Sequence, residues 1–100
     1  MTTLHDLATE IHHIRLPDLP GCHVTVYLFA LGPSTWQWAM TTSAPGWGTW
    51  GCDRRGAGDA QPNPFCAISL ALCFARNYWE GRGVDQLALA IVAAADELWL

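Results

Sequence analysis

Residues 22–53 read CHVTVYLFALGPSTWQWAMTTSAPGWGTWGCD. The fold turns on how this stretch divides. Cys22 to Ala30 is rich in Val, Tyr and Phe, which suits a pleated strand. Its residues are apolar on both faces, so the predicted strand is central or covered on both sides. Gly32-Pro33-Ser34 signals a turn. From Thr35 to Thr42 the alternation is sharp: Trp36, Trp38 and Met40 share one face, and Thr35, Gln37, Ala39 and Thr41 share the other. Ser43-Ala44-Pro45-Gly46 signals a second turn, and Trp47 to Cys52 reads as a third strand. Its glycines suggest an edge position, a bulge or a close backbone approach. Connections this short imply an antiparallel meander.

Upstream, Leu4, Leu7, Ile11 and Ile14 recur at helical spacing and predict an amphipathic helix over Thr3 to Arg15. Thr3 followed by Asp6 resembles a capping box. Pro17 and Pro20 end that element, and Gly21 opens the next. Downstream, Asp53 to Asn63 reads as a loop. Asn63-Pro64 is a helix start, with Asn as N-cap and Pro in the first turn. Phe65 to Glu80 follows as a helix, with Ile68, Leu72, Ala75 and Trp79 in one stripe widened by Leu70 and Phe74. Gly81 and Gly83 terminate it. Val84 to Leu98 is a last helix with Leu87, Ile91, Ala94, Ala95 and Leu98 inward. The expected fold over residues 1–100 is a single α+β domain: an N-terminal helix, a three-stranded antiparallel sheet, and two C-terminal helices packed on it.

Composition narrows the function classes. The 100 residues are 51% hydrophobic and 14% charged, which suits a filled core or a core plus an apolar contact surface. The net charge is −4, there is no Lys, and the Arg residues at 15, 54, 55, 76 and 82 are scattered. Phosphate neutralisation supplies most non-specific nucleic-acid affinity, so direct DNA or RNA binding is not expected. The dispersed acids do not suggest a DNA mimic either. The amino terminus has no basic start and no continuous apolar run, so no signal peptide is read there. Residues 87–100 are apolar but interrupted by Asp96 and Glu97, and no membrane span is expected. The expectation is a cytoplasmic protein whose four cysteines are reduced.

Residues with reactive side chains form no recognised pattern. Cys22, Cys52, Cys66, Cys73 and the histidines at 5, 12, 13 and 23 lack paired zinc-ligand spacing. Cys22 and His23 are neighbours on a strand and point to opposite faces, so they cannot pair. Asp96-Glu97 reads as a solvated helix end. No phosphate-cradling glycine loop or nucleophile elbow occurs. Neither an enzyme nor a metal or other cofactor is expected.

The tryptophans then matter most. Trp36 and Trp38 are expected to pack beneath the Phe65 helix. Trp47 and Trp50 lie an odd number apart, so on a regular strand one faces the core and the other faces out. Asp53, Arg54 and Arg55 adjoin them, and Trp and Arg are enriched at interface hot spots. The candidate partner-binding residues are Trp47, Trp50, Asp53, Arg54, Arg55 and Asp59. Arg stacked on Trp in a solvated rim is the alternative.

LPDLPGCH, residues 16–23, resembles the signature of HicB-type antitoxins, which implies a homodimeric regulatory module. A broader likeness covers Thr35 to Trp79: a W-x-W strand, a Gly turn, a strand ending in Gly, and an Ala-rich helix ending in an aromatic. Trp36, Trp38, Gly46, Gly51, Ala67, Ala71, Ala75 and Trp79 carry it. It resembles small phage and mobile-element proteins, anti-CRISPR proteins among them. The resemblance implies a stoichiometric inhibitor that covers a surface of a host protein, such as a CRISPR-Cas effector subunit or its nuclease. Asp53, Asp59 and Glu80 would face a basic channel of that host protein.

Overall fold

The computed structural model of the chain describes residues 3–55 and 60–98. Along the chain these form α1 (Leu4–Leu7), β1 (Glu10–Ile14), β2 (His23–Gly32), β3 (Thr35–Ala44), β4 (Gly48–Asp53), α2 (Pro64–Gly81) and α3 (Asp85–Leu98). The sheet is antiparallel with order β1-β2-β3-β4. α2 packs on β2 and β3, and α3 packs on α2. The α+β class, the meander and the two C-terminal helices are as expected.

Two expectations fail at the amino terminus. The sheet has four strands, not three, and the helix predicted over Thr3 to Arg15 is a single turn. The Thr3–Asp6 capping box is present: the Asp6 amide donates to Thr3 Oγ1 at 3.3 Å, and the Thr3 amide donates to Asp6 Oδ2 at 3.2 Å. Capping starts a helix but does not extend one. Beyond Ala8 the chain pairs with β2, from Glu10 opposite Leu28 to Ile14 opposite Val24. A short isolated helix is marginal, whereas a central apolar strand needs a neighbour on each side.

The strand register sets the two faces of the sheet. Val24, Val26 and Leu28 lie opposite Thr42, Met40 and Trp38, and all six are buried on the helix side. Ala67, Ile68, Ala71, Leu72, Ala75 and Trp79 of α2 complete that core. Trp38 and Met40 therefore lie under α2 as expected, and Trp36 is half-buried at its margin. One polar pair is sealed inside. The Trp79 indole N–H donates to Thr42 Oγ1 at 2.8 Å, and that hydroxyl donates to the His23 carbonyl at 2.8 Å. In α3, Leu87, Ala88 and Ile91 are buried, whereas Leu98, expected inward, is 37% exposed.

The turns follow from their residues. The Trp47 amide donates to the Ala44 carbonyl at 3.0 Å, with Pro45 and Gly46 between them and Gly46 at φ 81°. Pro then Gly at positive φ is the signature of a type II turn. Trp47 thus belongs to the turn, not to the third predicted strand. Between β1 and β2, the amide of Leu19 donates to the Leu16 carbonyl and the amide of Cys22 to the Leu19 carbonyl, both at 3.1 Å. Gly21 sits at φ 87°, and a Cβ there would come within 2.9 Å of Pro45 Cγ. The HicB-like stretch is therefore a pair of turns packed against the β3–β4 turn. Asn63 caps α2 as predicted, accepting from the Cys66 amide at 2.9 Å.

Candidate protein-binding surface

β4 borders the sheet, and its register fixes where each candidate residue points. Trp50 lies opposite Thr42 and Cys52 opposite Met40, so both share the helix-side face. Thr49, Gly51 and Asp53 share the other face. The candidate residues therefore divide between two faces and one turn.

On the helix side an aromatic strip fills the gap between β4 and α2. Trp50 stacks on Tyr78 with centroids 4.4 Å apart and planes 4° from parallel. The Arg82 guanidinium lies 5.6 Å from the centre of the same Tyr78 ring. One helical turn earlier, Arg54 lies 4.6 Å over Phe74, which in turn contacts Trp38 at 5.3 Å. The Arg54 amide donates to the Trp38 carbonyl at 2.9 Å, continuing the ladder one residue past β4. Such arginine–ring contacts contribute about 0.5–1 kcal/mol each at exposed sites. The alternative of Arg stacked on Trp in a solvated rim is met only in part. The arginines do stack in a rim, but on Phe74 and Tyr78 rather than on tryptophan.

On the other face, Asp53 and Arg55 form a forked ion pair. Arg55 Nη2 donates to Asp53 Oδ2 at 2.7 Å, and Arg55 Nε donates to Asp53 Oδ1 at 3.0 Å. The Arg55 side-chain hydrogen bonds hold the Asp53 carboxyl below its ordinary value, outweighing an opposing effect of burial, and the Arg55 amide and charge add to the lowering. Arg55 also lies 5.1 Å over the ring of Phe29, an apolar residue buried on this face of the sheet. Asp53 is thus engaged within the chain. Asp59 lies outside the described residues.

Trp47 stands apart at the β3–β4 turn with 46% of its surface exposed. It sits about 20 Å along the strand direction from Asp53, at roughly 3.3 Å per residue. One Trp faces out and the other packs inward, as the spacing implied. The reason is different, because Trp47 is held by the turn and not by strand alternation. Tyr78, Phe74 and Arg82 were missed in the sequence reading, although their spacing of four marks one helix face.

The outer edge of β4 is open. With the Arg54 amide directed at β3, alternation directs the main-chain groups of Thr49, Gly51 and Asp53 away from it. No sheet partner takes them up among the described residues.

Elsewhere, His12 Nε2 lies 2.9 Å from Glu10 Oε1, and His13 Nδ1 lies 3.2 Å from Thr25 Oγ1. These histidines sit on opposite faces of β1, each with its own partner. The four cysteines are free thiols; Cys73 is exposed and the other three half-buried. Among the described residues no three His, Cys, Asp or Glu side chains are grouped to hold a metal ion, and no helix is long and apolar enough to cross a membrane. A groove of about 300 Å³ runs between α2 and α3, lined by Leu72, Cys73, Arg76, Ile91, Val92 and Asp96. Comparison with protein-family models, curated proteins and solved structures finds no match to this chain.

Proposed function

We propose that this chain is a non-enzymatic protein-binding inhibitor from a phage or mobile element, acting by covering a surface of a host protein. The observation that carries the binding reading is the β4 border. It combines an outward Trp47 on a tight turn, a ring-and-guanidinium strip on the helix side, and an edge whose main-chain groups no sheet partner takes up among the described residues. Trp, Tyr and Arg are the residue types that dominate interface energetics. Side chains already fixed by stacking lose little further freedom on binding. The net charge of −4 supports a basic partner surface, where opposite charge speeds encounter more than it adds affinity.

The anti-CRISPR class rests on the strand–turn–strand–helix likeness over Thr35 to Trp79, and its target would be a CRISPR-Cas effector subunit or nuclease. The test is co-purification with a panel of purified CRISPR effectors at micromolar concentration. A complex is expected, and Trp47→Ala should weaken it by about tenfold, a loss of about 1.4 kcal/mol. If no effector is captured, the CRISPR target is wrong. The homodimeric regulatory reading from residues 16–23 has a separate observation in its favour, the open edge of β4.

A further inference from the structure

We infer that the outer edge of β4 pairs with the same edge of a second copy, antiparallel and centred on Gly51. This rests on the reading of the β4 border as a contact surface, and it names the occupant of its edge.

Sheet edges are normally blunted by charge, proline or bulges. β1 carries such a guard, since Glu10 and His12 pair on it at 2.9 Å. On β4 the charge is confined to its end, where Asp53 pairs with Arg55 at 2.7 Å; from Gly48 to Cys52 it has no charged residue and no proline, and its pairing with β3 runs without a register shift.

The register then follows from symmetry. In a two-fold antiparallel pair centred on Gly51, the outward main-chain groups of Thr49, Gly51 and Asp53 all find partners, giving about six hydrogen bonds. Thr49 lies opposite the partner's Asp53, so a hydroxyl donor meets a carboxylate on the same face, and this happens twice. Trp50 lies opposite the partner's Cys52, which brings the two Trp50–Tyr78 stacks to diagonal positions across the axis. Self-pairing of β1 about His12 places Glu10 opposite Ile14 and offers no such match.

The helices leave room for this arrangement. α2 rests over β2 and β3. With strands about 4.8 Å apart, the two α2 helices stand roughly 14 Å or more from each other. Packed helices need only about 8–10 Å, so they do not collide. The space between them is where the aromatic strips meet.

The test is sedimentation velocity of the intact chain from micromolar to sub-millimolar concentration, with two variants at one exposed position. The wild type should sediment as a dimer. Thr49→Asp sets a carboxylate opposite the partner's Asp53 and should raise the dissociation constant by about tenfold or more, because like charges face each other. Thr49→Lys sets an ammonium there and should leave the dimer as tight or tighter. Both variants should keep the wild-type circular dichroism spectrum, since Thr49 is exposed. A wild type that stays monomeric overturns the pairing, as does a dimer indifferent to the charge at position 49. A monomer that still captures a host protein removes the pairing alone; a dimer that captures none removes the host reading alone.

Discussion

The indole of Trp79 and the hydroxyl of Thr42 meet at 2.8 Å in the middle of the core. They lie 37 residues apart and join the last turns of α2 to the centre of the sheet. Thr42 passes the interaction on to the His23 carbonyl, so the pair also ties β3 to β2. Thr42→Val keeps the shape but strands the Trp79 N–H in a dry interior. It should cost about 1–3 kcal/mol, the penalty for a buried unpartnered donor. Thr42→Ser should lose less than half of that. Thermal unfolding followed by circular dichroism checks both.

Gly21 is confined by its backbone and by Pro45 at once. Gly21→Ala introduces a Cβ at φ 87° and 2.9 Å from Pro45 Cγ. The expected loss is about 1–3 kcal/mol for a non-glycine residue in a sparsely populated region. Adding Pro45→Ala should recover only the steric part of the loss, and denaturant melts of the single and double variants separate the two.

Trp47 and Trp50 should behave in opposite ways. Trp47→Ala should shift stability by no more than about 0.5 kcal/mol, as exposed positions do. Trp50→Ala removes the Tyr78 stack and the indole packed at the core margin, and should cost about 1–3 kcal/mol, below the range for a fully buried Trp. If Trp47→Ala lowers the midpoint as far as Trp50→Ala does, Trp47 is not the surface residue described above.

The Asp53–Arg55 fork has a consequence at low pH. The carboxyl is held below its ordinary value of 3.8 in the folded chain, chiefly by the Arg55 side-chain hydrogen bonds. The stability linked to it is therefore fully present above that value. It is lost as pH falls from there through the lower folded midpoint. Carboxyl carbon NMR should give Asp53 a titration midpoint under 3.8, and Arg55→Gln should return it toward 3.8. An unchanged midpoint in that variant would show that Arg55 does not set it.

Much of this was legible from local chemistry. Asn63-Pro64 set the start of α2, the Ile68–Trp79 stripe set its buried face, and W-x-W set the inner face of β3. β1 was not legible, because Leu4, Leu7, Ile11 and Ile14 satisfy helical spacing while the pairing that decides their state lies with residues 24–28. The available clue was indirect: a strand apolar on both faces is central and requires a neighbour on each side. The Pro45-Gly46 signal marks the turn but not its last residue: the Trp47 amide closes it onto Ala44, so β4 begins one residue later than the sequence suggests. Within the candidate surface, the β4 residues were found and their α2 supports were not. Phe74 reads as part of the apolar stripe, Tyr78 lies outside it, and only the tertiary fold brings Arg54 and Trp50 onto their rings.

The strand order also governs how the chain can fold during synthesis. Every ladder joins strands adjacent in sequence, so the sheet closes through short loops and folding is expected to be fast for a β-containing domain. Emerging from the ribosome, the four strands can associate before α2 is available. In that interval the inner face, with Val26, Trp38 and Met40, has no cover. The nascent hairpins are thus most exposed to aggregation or chaperone capture during the short time needed to translate residues 64–81, and arrival of Trp79 beside Thr42 ends it.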